Sequence, residues 1–275
     1  MALEQNNRTT FRNNSRSLLI GCFWLLFIFL VLFILLLIGG LMNYANWETV
    51  KTVLRQEEFH FALFFTLWTS VLATGLAALF ALPAAYILSR YKIPGKAFVD
   101  TLLDIPIVLP PLVSGIALLI LFGPVLGGFL TALGLDIVFS SSGVVIAQWF
   151  IATPYAVRIM KQAFDGIDPR MENIARTLGY TPGNVFGKVT LPLARNGIIN
   201  GLIMTWTRTI GEFGATAMLA GITRMKTETL SVAIFLNMSM GDLKFAISTA
   251  IVMLLMALVS LITLKFFLKQ EVIRF

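Results

Sequence analysis

The sequence has few charged residues for its length. Asp, Glu, Lys and Arg make up 13% of the 275 residues, whereas hydrophobic residues make up 57% and the mean hydropathy is +0.85. A soluble domain carries about a quarter charged residues, because its surface must stay in water. The shortage excludes a soluble enzyme, and the long apolar runs indicate membrane spans, since about 20 helical residues cross the hydrocarbon core.

Residues that could carry chemistry are equally scarce. The chain has one cysteine, Cys22, and one histidine, His60, which cannot build a disulfide framework or a metal site. The sequence also lacks the G-x-x-x-x-G-K-[ST] loop that binds ATP phosphates, and no nucleophile–base set or carboxylate pair appears among the apolar runs. We therefore expect no catalytic residue, no metal and no cofactor in this chain. The chain is likewise not expected to bind ATP phosphates itself.

Six apolar stretches predict an all-α fold with six transmembrane helices. Polar residues 1–17 precede them as an N-terminal tail, and residues 18–275 are expected to form one membrane domain. The predicted spans are residues 18–41, 61–89, 102–122, 143–164, 193–220 and 243–268.

The distribution of basic residues predicts the orientation. Of the 21 Lys and Arg residues, fifteen lie in the N-terminal tail, after the second and fourth spans and at the C-terminus. Five lie in the opposite connections, and Arg208 lies within a span. By the positive-inside rule the larger group is cytoplasmic, so both termini are expected in the cytoplasm. The net charge of +7 is thereby assigned to membrane topology rather than to nucleic-acid binding.

The connection between the fourth and fifth spans, residues 165–192, has its own helical pattern. Asp168 and Pro169 predict a helix start, and Gly179 predicts its end. The apolar residues between them recur at helical spacing as a narrow stripe: Met171, Ile174, Ala175 and Leu178. The pattern alone leaves two interpretations open, a docking surface for a protein or an amphipathic helix on the lipid headgroups.

The spacing within this connection resembles the "EAA" signature of permease subunits of binding-protein-dependent ABC importers. The matching positions are Glu172, Ala175, Gly179, Val189, Leu191 and Pro192, whereas Asn173 stands where alanine is commonest. The resemblance implies the type I ABC importer permease fold and a coupling helix that docks into the ATP-hydrolysing subunit. The coupling residues that it implies are Glu172, Ala175, Leu178, Gly179 and Pro192.

Other segments are similar to the molybdate, tungstate and sulfate group of these permeases. They are residues 90–96 (RYKIPGK), 104–115 (DIPIVLPPLVSG), 211–216 (GEFGAT), 219–221, 227–230 and 241–242. The similarity covers residues 61–268 and favours the molybdate/tungstate branch, with sulfate as the alternative cargo. It implies a prokaryotic cytoplasmic membrane, a homodimer, two cytoplasmic ATPase subunits and an extracytoplasmic oxyanion-binding protein. A stand-alone secondary transporter would need a coupling-ion site and often shows inverted repeats, and the sequence offers neither.

Prolines in the third predicted span make it a candidate for the translocation path. Pro106, Pro110 and Pro111 remove backbone donors, and broken helices at membrane depth belong where they line a cavity or pack against protein. A simple packing kink is the alternative.

The fifth predicted span contributes charged candidates for the same path. Thr205, Arg208 and Glu212 fall on one helical face. Because charges are costly in hydrocarbon, Arg208 and Glu212 are expected to pair. The pair either attracts an anion or only locks the helix.

Overall fold

The computed structural model describes residues 2–44 and 46–272, with side chains described for residues 19–44, 46–263 and 265. The described residues form helices joined by turns and loops, with no strand among them, so the all-α prediction is confirmed. The helices are α1 (Ala2–Tyr44), α2 (Trp47–Val53), α3 (Glu57–Arg90), α4 (Lys96–Val108), α5 (Pro111–Ile120), α6 (Gly127–Ala132), α7 (Ser141–Asp165), α8 (Pro169–Thr177), α9 (Pro182–Val185), α10 (Leu191–Ile210), α11 (Gly214–Leu219), α12 (Leu230–Ser239) and α13 (Leu243–Val272). Short π-helical turns follow α5 at Leu121–Val125 and α9 at Phe186–Thr190.

Contacts divide the chain after Thr49 into two units. In the first unit, the predicted N-terminal tail from residue 2 onward belongs to α1, whose apolar part is Leu19–Tyr44. The boundary falls within α2, and the second unit holds helices α3 to α13.

Four helical segments of the described chain are long and apolar enough to cross a membrane: Leu19–Tyr44, Glu57–Arg90, Ser141–Asp165 and Leu243–Thr263. A fifth would be the pair Lys96–Val108 and Pro111–Val125, which is bent by 108°. The six-span count therefore stays a prediction. A further helix, α12, was not predicted, because its ten residues are too short for a span.

The third predicted span, residues 102–122, is interrupted, as its prolines indicate. Leu109 and Pro110 both adopt extended backbone, with ψ angles of 137° and 134°, and the chain turns between α4 and α5. The residue before a proline is driven out of the helical region, and here two prolines follow in succession. Pro106, in contrast, lies inside α4 and does not end it.

The fifth predicted span, residues 193–220, is also divided. Helix α10 ends at Ile210, with Gly211 as its cap, and the short helix α11 begins at Gly214.

Small residues bring the long helices of the second unit together. Ala77, Ala81 and Ala85 of α3 are fully buried against α7 and α10, in one cluster with Ala156 and Phe164. Apolar side chains gain little by leaving lipid for protein, so close backbone approach through alanine and glycine supplies the packing energy.

The helices that follow the two breaks pack backbone to backbone. A Cβ atom added to Gly115 of α5 would lie 2.8 Å from the Cα of Ala215 in α11. One added to Gly214 would lie 2.8 Å from the Cβ of Pro111. The two broken segments thus form one closely packed unit, which α7 supports through Ala147 and Ile151.

Candidate coupling surface and translocation elements

The segment after α7 folds as the sequence predicts. The Asp168 side chain accepts a hydrogen bond from the Arg170 amide (2.9 Å) and caps α8. Gly179 ends the helix at φ +88°, a conformation that glycine adopts without a steric penalty. The Tyr180 amide bonds back to the Ala175 carbonyl (3.1 Å), which completes the usual glycine-based helix end.

Glu172 anchors α8 to the body of the protein. Its Oε1 atom accepts hydrogen bonds from Arg90 Nε at 2.7 Å and from Thr190 Oγ1 at 3.0 Å. The side chains of Arg90 and Glu172 are only 9% and 4% exposed. Arg90 also donates to the Ile167 carbonyl at 3.1 Å. The buried Arg90–Glu172 pair therefore joins the end of α3 to the first residues of the connection 165–192 and, through Thr190, to its last residues. Of the predicted coupling residues, Glu172 and the buried Ala175 therefore face inward.

Next to these inward-facing residues, α8 and its C-cap carry an exposed apolar stripe, formed by Met171, Ile174 and Leu178. Their exposed fractions are 52%, 56% and 73%, although all three are large hydrophobic residues. Pro192, at the start of α10, is also exposed. The buried anchor and the helix caps hold this stripe in a fixed position.

Arg208 and Glu212 pair across the break in the fifth predicted span. Arg208 Nη1 lies 2.9 Å from Glu212 Oε2, and the Glu212 side chain is 1% exposed. The other carboxylate oxygen accepts from the Ala215 amide at 2.9 Å, so Glu212 bonds α10 on one side and α11 on the other. The Arg208 guanidinium also lies over the Tyr155 ring, 5.7 Å from its centroid.

The other predicted path residues differ in their exposure. Thr205 is fully buried and donates its hydroxyl to the Gly201 carbonyl (2.6 Å). Pro111 packs against Gly214, whereas Pro110 is exposed at the turn.

Three further polar residues near the broken helices were not singled out from the sequence. Ser114 of α5, Gln148 of α7 and Thr216 of α11 are fully buried, and their side-chain polar atoms have no hydrogen-bond partner among the described residues. Buried polar groups are usually bonded, so these three are the groups that could accept a new partner if the helices separated. Isolated Ser, Gln and Thr residues carry no pattern in sequence that would have marked them.

Comparison with known proteins identifies the family. Residues 77–269 match the family described as "Binding-protein-dependent transport system inner membrane component". The chain belongs to this family. It is therefore an integral membrane permease subunit of an ABC transporter and is not itself an enzyme.

Individual relatives agree with the family. The chain is 40% identical over 224 residues to a "Probable molybdenum ABC transporter permease protein" of Haloferax volcanii, which covers 82% of this chain and 81% of the relative. It is 32% identical over 222 residues to the "Sulfate transport system permease protein CysT" of Escherichia coli, with 80% of each chain covered. A bacterial alginate ABC transporter in complex with its periplasmic protein gives a TM-score of 0.66 at 19% identity, over 89% of this chain and 92% of that one. The last likeness concerns the fold, which is that of the ABC importer permeases.

Proposed function

We propose that this chain forms the membrane path of an ATP-driven importer of molybdate or tungstate, with both termini in the cytoplasm. A second copy completes the path, two cytoplasmic ATPase subunits bind ATP and Mg, and an extracytoplasmic binding protein delivers the oxyanion. The molybdenum permease of Haloferax volcanii supports this cargo through its higher identity to the chain, 40% against 32% for the sulfate permease of Escherichia coli. Sulfate is the second candidate, because the sulfate permease is also related over most of its length.

The exposed apolar stripe of α8 is the observation that carries the coupling proposal. An amphipathic helix lying on lipid would need no buried ion pair behind it. Here Glu172 fixes α8 from the inside, and the glycine at φ +88° fixes its end, so the stripe is a rigid surface. Rigid apolar surfaces suit docking to a protein, since little side-chain and loop entropy is lost on binding. We assign the stripe and the neighbouring Gly179 to the ATPase contact.

Leu178→Asp is expected to uncouple transport from ATP hydrolysis. The charge would have to be buried in the docked complex, and we expect at least about tenfold weaker association with the ATPase, or ~1.4 kcal/mol. Because the Leu178 side chain is 73% exposed in the chain alone, the substitution should not change the stability of the chain. ATP-dependent uptake, ATPase co-purification and thermal unfolding measure the three effects.

Asn173→Asp is the matched control, since it adds the same charge to an exposed position of α8 outside the stripe. It should leave uptake near that of the unaltered chain. Gly179→Asp should also uncouple transport, but it adds backbone strain at positive φ, so Leu178→Asp is the cleaner variant. Normal uptake and normal ATPase binding with Leu178→Asp would rule out the stripe as the docking surface.

A further inference from the structure

A buried carboxyl group lies in the connection between α11 and α12, here called loop 221–229. Glu228 is fully buried, and its Oε2 atom accepts a hydrogen bond from the Met225 amide at 2.8 Å. Its Oε1 atom has no hydrogen-bond partner among the described residues. An ionised carboxylate in this position is poorly satisfied, because buried charges are normally paired.

A second carboxyl group faces it from the first turn of α3. Glu58 Oε1 accepts from Asn237 Nδ2 at 2.8 Å and pairs with Arg224 Nη2 at 3.1 Å. The same Arg224 nitrogen donates to Asn237 Oδ1 at 3.0 Å. The Arg224 guanidinium thus contacts both Glu58 and Asn237, and its side chain is 45% exposed.

Burial raises the pKa of Glu228 to about 7, against an ordinary value of 4.5. The neighbouring Glu58 carboxyl acts in the same direction, whereas the Met225 amide and the Arg224 charge act in the opposite one. Of the other elements packed here, α12 presents the neutral amide of Asn237, and α13 packs through Phe245 in an apolar cluster. Near neutral pH, Glu228 therefore exchanges a proton.

We propose that Glu58 and Glu228 form a proton-operated latch that holds loop 221–229 against the start of α3. With the proton in place, Glu228 donates a hydrogen bond to Glu58, and Oε2 still accepts from the Met225 amide. Without the proton, two carboxylates compete for Arg224, and the loop is released. The proton goes to water, and no covalent bond changes.

The latch is connected to the broken helices. Loop 221–229 is closed on itself by Thr227, whose hydroxyl donates to the Gly221 carbonyl and accepts from the Thr223 amide, both at 3.1 Å. Directly before the loop, the Leu219 carbonyl at the end of α11 accepts from the Phe139 amide at 3.1 Å. Release of the loop is therefore expected to loosen α11, which packs against α5. The proposed orientation places loop 221–229 on the extracytoplasmic side. The latch itself does not depend on that orientation.

The sign of the pH dependence follows from proton linkage. Closed loop 221–229 binds the proton at pH values where an opened, solvated Glu228 has lost it. Closure is therefore strongest at and below about pH 4.5, weakens as the pH rises toward 7, and is constant above that. A pKa change of this size corresponds to a change of roughly two orders of magnitude in the opening equilibrium.

Hydrogen exchange of the full-length chain between pH 5 and 8 tests the latch. After correction for intrinsic exchange, protection of the Met225 amide is expected to fall at least tenfold across this range, whereas the Met160 amide in the core of α7 should show no such step. Glu228→Gln, which keeps a donor toward Glu58 and an acceptor for Met225, should give high protection at every pH. Glu58→Gln should move the step to lower pH, because it removes the facing charge.

Two results would overturn the latch: a pH-independent Met225 amide in the unaltered chain, or the same pH step in Glu228→Gln. If Glu228→Gln fails to fold, infrared spectroscopy of the unaltered chain decides. A protonated carboxyl band that titrates near neutral pH supports the latch, and its absence overturns it. Amide hydrogen exchange is measured without transport. A failure of the proposed import function would therefore not change the outcome of this test of the latch.

Discussion

Arg90→Ala is expected to abolish transport by detaching α8 from the membrane helices. The substitution leaves the Glu172 carboxylate almost fully buried without its cation, although the Thr190 hydroxyl still donates to it. Breaking a buried pair by removing one partner typically costs about 3–5 kcal/mol. The stripe formed by Met171, Ile174 and Leu178 would then lose its fixed position. Thermal unfolding of the purified chain and ATP-dependent uptake measure the two consequences.

Two companion variants distinguish the loss of the Arg90–Glu172 ion pair from a general loss of positive charge. Lys92→Ala removes a cation at an exposed position two residues further along, and it should leave both readouts unchanged. Arg90→Lys keeps the charge but loses the planar guanidinium that reaches Glu172 and the Ile167 carbonyl together, so an intermediate loss is expected. If Arg90→Ala has the same unfolding temperature and the same uptake as the unaltered chain, Glu172 does not anchor α8.

The second large effect is expected at the break between α10 and α11. Arg208→Ala leaves Glu212, at 1% exposure, with the Ala215 amide but no cation. We expect a loss of about 3–5 kcal/mol in the free energy of unfolding for the same reason as at Arg90. Glu212→Gln removes the charge but retains an acceptor for Ala215, so combining it with Arg208→Ala should restore much of the lost stability.

The double variant also decides between the two roles of the pair. If Arg208 and Glu212 only lock the helices, uptake should recover together with stability. If Arg208 attracts the anion in the path, stability should recover while uptake stays low. The structure favours the lock, because Glu212 is fully used by bonds to both sides of the break.

The sequence was most informative where local chemistry sets the fold. Asp168, Pro169 and Gly179 act within a few residues of their own positions, so the start and end of α8 could be predicted correctly. The partner of Glu172 could not, since Arg90 is 82 residues away and no local pattern connects them. The inward direction of Glu172 was missed for the same reason.

The broken helices show a similar limit. Two successive prolines predicted an interruption at Pro110, but Pro106 was expected to contribute and does not end α4. Glycine is common in membrane helices, so Gly211 and Gly214 alone did not fix where the fifth span divides. The division is stabilised by Glu212 and by the close approach of α11 to α5, which are tertiary contacts. Likewise, Glu58 and Glu228 are 170 positions apart, and only the fold brings them together.

ATP-dependent uptake of labelled molybdate is the decisive test of the proposed import function. Cells that lack their own uptake system would receive this chain with its ATPase and binding protein, and excess unlabelled tungstate or sulfate would compete. The proposed function predicts uptake that requires the ATPase and is blocked by tungstate but not by sulfate. Uptake without the ATPase would contradict an ATP-driven importer, and transport of sulfate without molybdate would keep the importer and overturn its cargo.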